Sequence, residues 1–320
     1  MDCDIVIQGG GVKGIAFAGA LTALENAGYQ GLNFAGTSAG SMVAALLAAG
    51  YSAKEIKTEM ENIDYKKGLG ETFIDKFGIG GKSISLFDTY GIYNNNYLET
   101  LLAKLLARKG VTVFGDLPAF SPNGNLPTHF CNLCVTTTDL TTGKLLVLPD
   151  DLAEFGIDPV TFPVVKAVKA SISFPLFYEP VILKDKSGVV HYLVDGGLIS
   201  AYPMFILDDG QSSLKRAVIG LRLQESLPQL NDIKNFVDYV KSMVSTLIDV
   251  HDEAYSQKAR GDYERSIFIP TVLPNGQEVK TMQFDLRETD VASLYNNGLA
   301  AGTKFLLTYS FQDWHKKFRS

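Results

Sequence analysis

The chain reads as an α/β protein built on a mostly parallel central sheet with helices on both faces. Three observations predict this. Within the first 50 residues, short apolar runs alternate with longer segments of helical spacing. The two strand-to-helix junctions there are glycine-rich, at residues 9–14 and 36–40. A later apolar run, residues 189–194, leads straight into Asp195-Gly196-Gly197. In sheets of this class, loops leaving the strands gather at one edge and form the binding crevice.

Taken in order, residues 5–8 are a short apolar strand ended by Gly9-Gly10-Gly11. Residues 12–27 place Ile15, Ala18, Leu21 and Leu24 on one helical face, and Gly28 supplies the stop. Residues 33–35 are a second strand, 36–40 a tight turn, and 42–49 an apolar helix ending at Gly50. From 52 to 96 the pattern loosens, with glycines at 68, 70, 78, 80, 81 and 91. Such a stretch is expected to be an insertion: a lid, a binding loop, or a surface excursion with short helices. Residues 96–109 form an amphipathic helix on Leu98, Leu101, Leu102, Leu105 and Leu106. Residues 129–138 and 144–148 read as strands joined by the polar turn 139–143. A short helix at 164–170 precedes a proline-bearing stretch to Pro180; strands follow at 189–194 and 217–223. A long helix is expected at 236–259, a last strand at 267–270 and a last helix at 292–311. No linker, repeat or low-complexity segment interrupts the chain, so residues 1–320 are read as one domain.

Composition limits the function. A hydrophobic content of 46% over 320 residues suffices for a core that needs neither disulfides nor metal. Cys3, Cys131 and Cys134 are too few for a disulfide framework. Cys131 and Cys134 make one C-x-x-C inside an apolar run, and without a second ligand pair they read as buried thiols. A net charge of −6 argues against general nucleic-acid binding. The acidic N-terminus runs at once into a strand, without the basic and apolar regions of a signal peptide. No apolar stretch reaches the ~18 residues of a membrane span. Cytoplasmic residence is therefore expected, with export by a route lacking a cleaved signal left open.

Three motifs carry chemistry. Gly36-Thr37-Ser38-Ala39-Gly40 fits the G-x-S-x-G nucleophile elbow, in which a sharp strand-to-helix turn lifts the serine hydroxyl clear of the backbone. The following helix aims its free N–H groups at that serine. A helix-capping serine is the plainer alternative. Gly9-Gly10-Gly11-Val12-Lys13-Gly14 exposes backbone N–H groups suited to an anion. It also fits the dinucleotide fingerprint, but the second strand ends in Gly36-Thr37-Ser38 and offers no carboxylate for a ribose. If Ser38 is a nucleophile, this loop supplies an oxyanion hole from Gly9, Gly10 and Gly11, with Ala39 as a further donor. Asp195-Gly196-Gly197 places a carboxylate at a strand end, either as a turn cap or as a catalytic group.

Together these stretches resemble the patatin-like phospholipases, which carry a G-G-G-x-[KR]-G loop, a G-x-S-x-G elbow and a later D-G-[GA]. Ala170-Ser171-Ile172-Ser173-Phe174-Pro175 resembles the family's A-S-x-x-x-P segment. The resemblance spans residues 5–203, with Lys13, Gly14, Gly36, Gly40, Gly196 and Gly197 at its supporting positions. One position departs: the family often has Asn six residues after its Asp, where this chain has Ala201.

The resemblance implies a three-layer α/β/α fold and a Ser38–Asp195 dyad hydrolysing acyl esters of phospholipids, lysophospholipids or neutral lipids. It also implies that no cofactor or metal is needed. Peripheral membrane contact, and a protein or small-molecule activator, are expectations about partners. A Ser-Asp-His triad would need a histidine; His251 and His315 follow Asp195 but sit in a helix and in the basic tail, while His129 and His191 fall in strands. Two other readings stand beside the hydrolase: a regulated lipid-binding module with slow turnover, and a dinucleotide-binding protein. Lys13 reads as a solvated charge or a head-group attractor. The tail, Trp314-His315-Lys316-Lys317-Phe318-Arg319, reads as a frayed end or a membrane contact.

Overall fold

The structure, a computed structural model, describes residues 1–64, 90–210, 213–225 and 261–319, with isolated positions at 67, 233, 234, 239, 242, 243 and 246. Most of the expected insertion, nearly all of the 236–259 helix, and His251 lie outside the described residues.

Ten strands are described: β1 Asp2–Ile7, β2 Gln30–Thr37, β3 Gly91–Tyr93, β4 Leu133–Asp139, β5 Lys144–Leu148, β6 Leu176–Tyr178, β7 Val181–Lys184, β8 Val190–Asp195, β9 Ala217–Gln224 and β10 Ser266–Pro270. The described α-helices are α1 Ile15–Asn26, α2 Ala39–Ala48, α3 Ala53–Glu61, α4 Asn96–Arg108, α5 Val164–Ile172, α6 Glu288–Leu306 and α7 Phe311–Phe318.

Five strands run parallel in the order β10-β9-β1-β2-β4. From β1 the chain steps outward to β2 and β4, then returns to lay β9 on β1's other side. The loop leaving β1 therefore sits where the winding reverses, the usual place for a crevice. Side chains alternate along the central strands: Ile5, Ile7, Phe34, Leu133 and Val135 enter one core cluster, while Val6, Ala35 and Cys134 enter another. Both faces are thus buried, as a parallel sheet requires. Helices α1 to α6 contribute to the first cluster. The second is closed by residues 204–207 and by Trp314 of α7.

The far end of the sheet is antiparallel. β8 and β5 both pair with β4 in the opposite direction, and β7 pairs with β8. β5 occupies one edge of β4 from Val135 to Asp139. β2 and β8 must therefore share the other edge, and they do so end to end. Thr37 of β2 pairs with Thr136, and Asp195 of β8 pairs with the next residue, Thr137. The two strands arrive from opposite directions and stop against each other.

Several expectations are corrected. The segment read as one helix from Val12 opens with a 3-10 turn, Gly11–Gly14, before α1. The looser region beginning at Ser52 is not among these: it starts with one of the short helices allowed for there, α3, opened by a capping box in which Ser52 Oγ accepts from the Glu55 N–H and the Glu55 carboxylate accepts from the Ser52 N–H. His129 lies outside any strand, since β4 begins only at Leu133. The last helix divides into α6 and α7, and the tail is folded. Trp314 is 4% exposed; its indole N–H donates to the Gly261 carbonyl at 2.7 Å, and the Arg265 and Arg319 guanidinium groups lie 4.7 and 4.8 Å from its ring. The tail's one tryptophan is therefore occupied inside the fold.

Candidate active site

β2 ends at Thr37, and Ser38 makes the turn into α2 with φ 51° and ψ −128°. A non-glycine residue reaches that conformation only when its surroundings impose it. The neighbours leave no alternative course. A Cβ at Gly40 would sit 2.4 Å from the Ile7 carbonyl oxygen, so only glycine lets α2 begin so close to β1. Ser41 then donates both its N–H (2.9 Å) and its hydroxyl (2.6 Å) to the Ser38 carbonyl.

The end-to-end meeting of β2 and β8 brings Ser38 to Asp195. The Ser38 hydroxyl donates to Asp195 Oδ2 at 2.7 Å. Asp195 Oδ1 accepts from the Gly197 N–H at 2.8 Å. Both carboxylate oxygens are engaged, and the residue is 4% exposed. Burial pushes its pKa up from 3.8 to about 6, while the two hydrogen bonds pull the other way. Desolvation wins because no cation is among the causes acting on the carboxylate.

The glycine loop lies alongside. A Cβ on Gly9 would come within 3.2 Å of Ser38 Cβ, so the loop passes directly over the elbow. The Gly9 N–H donates to the Ala201 carbonyl at 2.9 Å, which removes it from the expected oxyanion donors. The Val12 N–H donates to the Thr281 carbonyl at 3.1 Å. That carbonyl crowds Gly11, whose φ of +55° already calls for glycine. Among the described residues, the N–H groups of Gly10, Gly11 and Ala39 donate to no other group. The departure at position 201 acquires a meaning here. The contact runs through the backbone carbonyl, which any residue at 201 supplies.

Lys13 is a correction. It is buried, 2% exposed, and its ammonium donates to Glu225 at the end of β9 at 2.7 Å. The pair ties the glycine loop to the neighbouring strand. Gly196 and Gly197 form the turn after Asp195; the first has no room for a Cβ beside the Thr136 carbonyl, 2.6 Å away.

Sequence reasoning assigned no part to Ser171, Thr37 or Thr136. Ser171 Oγ accepts from the Ser38 N–H at 2.8 Å. Thr37 donates its hydroxyl to the Ser200 carbonyl at 3.0 Å and accepts from Thr136 at 2.6 Å, a chain joining the elbow strand to the Asp195 loop. The only signal for Ser171 was its place in the A-S-x-x-x-P stretch; hydroxyls on strands carry none.

The described histidines have other partners. His129 bonds Asp150 at 2.5 Å and the Ile206 carbonyl at 3.0 Å. His191 bonds Asp139 at 2.8 Å, and His315 lies 3.4 Å from the Ser213 hydroxyl. None of the three bonds Ser38 or Asp195. The ligand atoms of His129, Cys134 and Asp150 fall within 4.8 Å of one another. Both ring nitrogens of His129 are taken by acceptors, however, so the ring presents protons rather than a lone pair to any cation there. Cys131 and Cys134 are buried free thiols, and burial pushes Cys131 up to about 12. No described helix is long and apolar enough to cross a membrane.

Comparison with known proteins agrees with this architecture. The chain is 35% identical over 315 residues to the uncharacterized protein YqhO of Bacillus subtilis (strain 168), covering 97% of this chain and all of that protein. It is 25% identical over 308 residues to an uncharacterized protein of Acanthamoeba polyphaga mimivirus, covering 92% of this chain and 91% of the relative. The crystal structure of VipD from Legionella pneumophila superposes with a TM-score of 0.52 at 19% identity, over 96% of this chain and 67% of that one, a likeness of fold. Residues 5–208 match the patatin-like phospholipase family, and this chain belongs to it, a family of lipid acyl hydrolases.

Proposed function

We propose that this protein hydrolyses carboxylic esters of phospholipids or lysophospholipids through an acyl-serine intermediate, with Ser38 as nucleophile and Asp195 as base. The observation that carries this reading is the direct 2.7 Å hydrogen bond from the Ser38 hydroxyl to Asp195 Oδ2. A triad would need an imidazole where that bond already is.

A carboxylate is a weak base for a serine at its ordinary pKa of about 3.9. Burial brings Asp195 to about 6, closer to the value of an imidazole. In the first half-reaction, Ser38 Oγ attacks the ester carbonyl carbon and its proton passes to Asp195. The carbonyl oxygen becomes an oxyanion, held by the Gly10, Gly11 and Ala39 N–H groups. Removal of one such donor typically costs about 10²–10³ in rate. The tetrahedral species collapses, the ester C–O bond breaks, and the leaving alkoxide takes the proton from Asp195. In the second, water attacks the acyl-serine while Asp195 accepts its proton. The fatty acid leaves and Ser38 recovers its hydrogen.

The test is hydrolysis of a short acyl ester and of a mixed phospholipid by wild type, Ser38→Ala and Asp195→Asn. Both variants are expected to fold and to lose about 10³-fold or more in kcat. A Ser38→Ala protein with undiminished activity, or a wild type whose Ser38 resists a fluorophosphonate, rejects the reading.

A further inference from the structure

We propose that Ser171 is a positioning residue for the nucleophile: its side chain, together with the Ser173 carbonyl two residues on, sets the separation of Ser38 and Asp195. This rests on the dyad reading above. The Ser38 N–H donates to Ser171 Oγ at 2.8 Å, and the Asp195 N–H donates to the Ser173 carbonyl at 2.9 Å. One three-residue stretch at the end of α5 thus holds the backbone of both members of the pair.

The arrangement answers a physical need. Ser38 stands in a left-handed conformation that an L-residue rarely adopts, and its turn has left the β2 ladder. Its N–H therefore needs an acceptor from elsewhere, and Ser171 provides a fully buried one. The same bond occupies the nucleophile's own N–H, which leaves the Gly10, Gly11 and Ala39 N–H groups as the donors proposed for the oxyanion. Asp195 has a matching need at the end of β8, and the Ser173 carbonyl meets it.

The stretch is itself held. Ser173 Oγ donates to the Lys169 carbonyl at 2.8 Å. The Asn95 side-chain amide donates to Ser173 Oγ at 3.2 Å and to the Lys169 carbonyl at 3.4 Å. Asn95 and Ser173 are 1% and 0% exposed, so these bonds work away from water. A nucleophile held within hydrogen-bond reach of its base reacts as part of one structure, and small misplacement is costly in rate.

The experiment compares wild type, Ser171→Ala and Ser171→Thr on a soluble short acyl ester. It adds the rate of fluorophosphonate labelling and amide hydrogen exchange of the peptide containing Ser38. Ser171→Ala is expected to lose about 10- to 100-fold in kcat and in labelling rate. Its KM should stay within about twofold, its acid limb should move to higher pH, and the Ser38 peptide should exchange faster. Ser171→Thr keeps the oxygen and should recover most of the rate. If Ser171→Ala does not fold, Ser171→Cys, with a weaker acceptor of similar size, is expected to fall between. Wild-type kcat and exchange in the alanine or cysteine variant would overturn the proposal, as would a change confined to KM. Hydrogen exchange needs no turnover. Faster exchange in an alanine variant, found beside an active Ser38→Ala enzyme, would sink the dyad reading and leave the contact established.

Discussion

Asp195 accepts one hydrogen bond from the Ser38 hydroxyl and one from the Gly197 N–H, yet its pKa still rises to about 6. Two consequences follow at the scale of this residue. In the mechanism proposed above Asp195 must be ionised to take the proton, so kcat/KM should fall tenfold per pH unit below a midpoint near 6. A profile flat down to pH 4.5 would remove Asp195 from that part. The second consequence concerns stability. The folded pKa lies above the unfolded one, so the folded form binds more protons between pH 3.8 and about 6 and loses stability across that window. At pH 8 the buried carboxylate costs the fold roughly 2–3 kcal/mol. Asp195→Asn should therefore be the more stable protein in urea at pH 8 and show little difference near pH 3.5. Equal midpoints at pH 8 would mean that the carboxylate is better solvated than its burial implies.

Among the elements, α7 departs furthest from expectation. Its sequence is short and basic, with Ser310 as N-cap, its Oγ accepting from the Asp313 N–H. Nothing in eight residues explains a stable helix, since isolated helices of that length are marginal in water. Tertiary contacts explain it. Asp208, fully buried at its carboxylate, accepts from Arg319 at 2.6 Å and pairs with Arg265, which also pairs with Asp262. Both guanidinium groups also lie against the Trp314 ring, 4.7 and 4.8 Å from its centre. Trp314→Ala should cost about 3–5 kcal/mol, read from urea unfolding, through lost packing and a stranded Gly261 carbonyl. A change below about 1 kcal/mol would return α7 to the frayed end its composition suggests. Periodicity found α4 and α5 because each buries a stripe of leucine or valine. It missed α7, whose anchors are one tryptophan and an ionic network with partners as distant in sequence as Asp208 and Arg265.

For the whole molecule, the histidine pairs give stability a second pH dependence. Burial alone would lower the pKa of His129, but the Asp150 carboxylate and the Ile206 carbonyl more than reverse this and raise it above 6.5. A raised histidine stabilises fully below its unfolded value and loses that contribution as pH rises through its folded value. His129 joins the segment before β4 to residues 204–206, beyond the Asp195 loop, so its loss should loosen the second core cluster. His129→Gln should lower the urea midpoint at pH 6 by an amount corresponding to about 1–3 kcal/mol and by less at pH 8.5. His191, raised by Asp139, acts in the same direction, so the difference between wild type and the variant isolates His129. A difference independent of pH would show that the pair is not ionic.

By itself the sequence determined the fold class, the order of most strands and helices, and the positions of Ser38, Asp195 and the glycine loop. Those are local matters. Apolar period, glycine at a tight turn and a residue at a strand end are all written within a few positions of one another. Only the tertiary structure decided that β8 runs antiparallel to β4 and ends against β2, so that the serine and the aspartate meet directly. The same holds for the Gly9 N–H spent on Ala201, Lys13 buried on Glu225, and Ser171 holding the elbow. Each joins residues far apart in the chain through one hydrogen bond, and such a bond leaves no periodic or compositional trace.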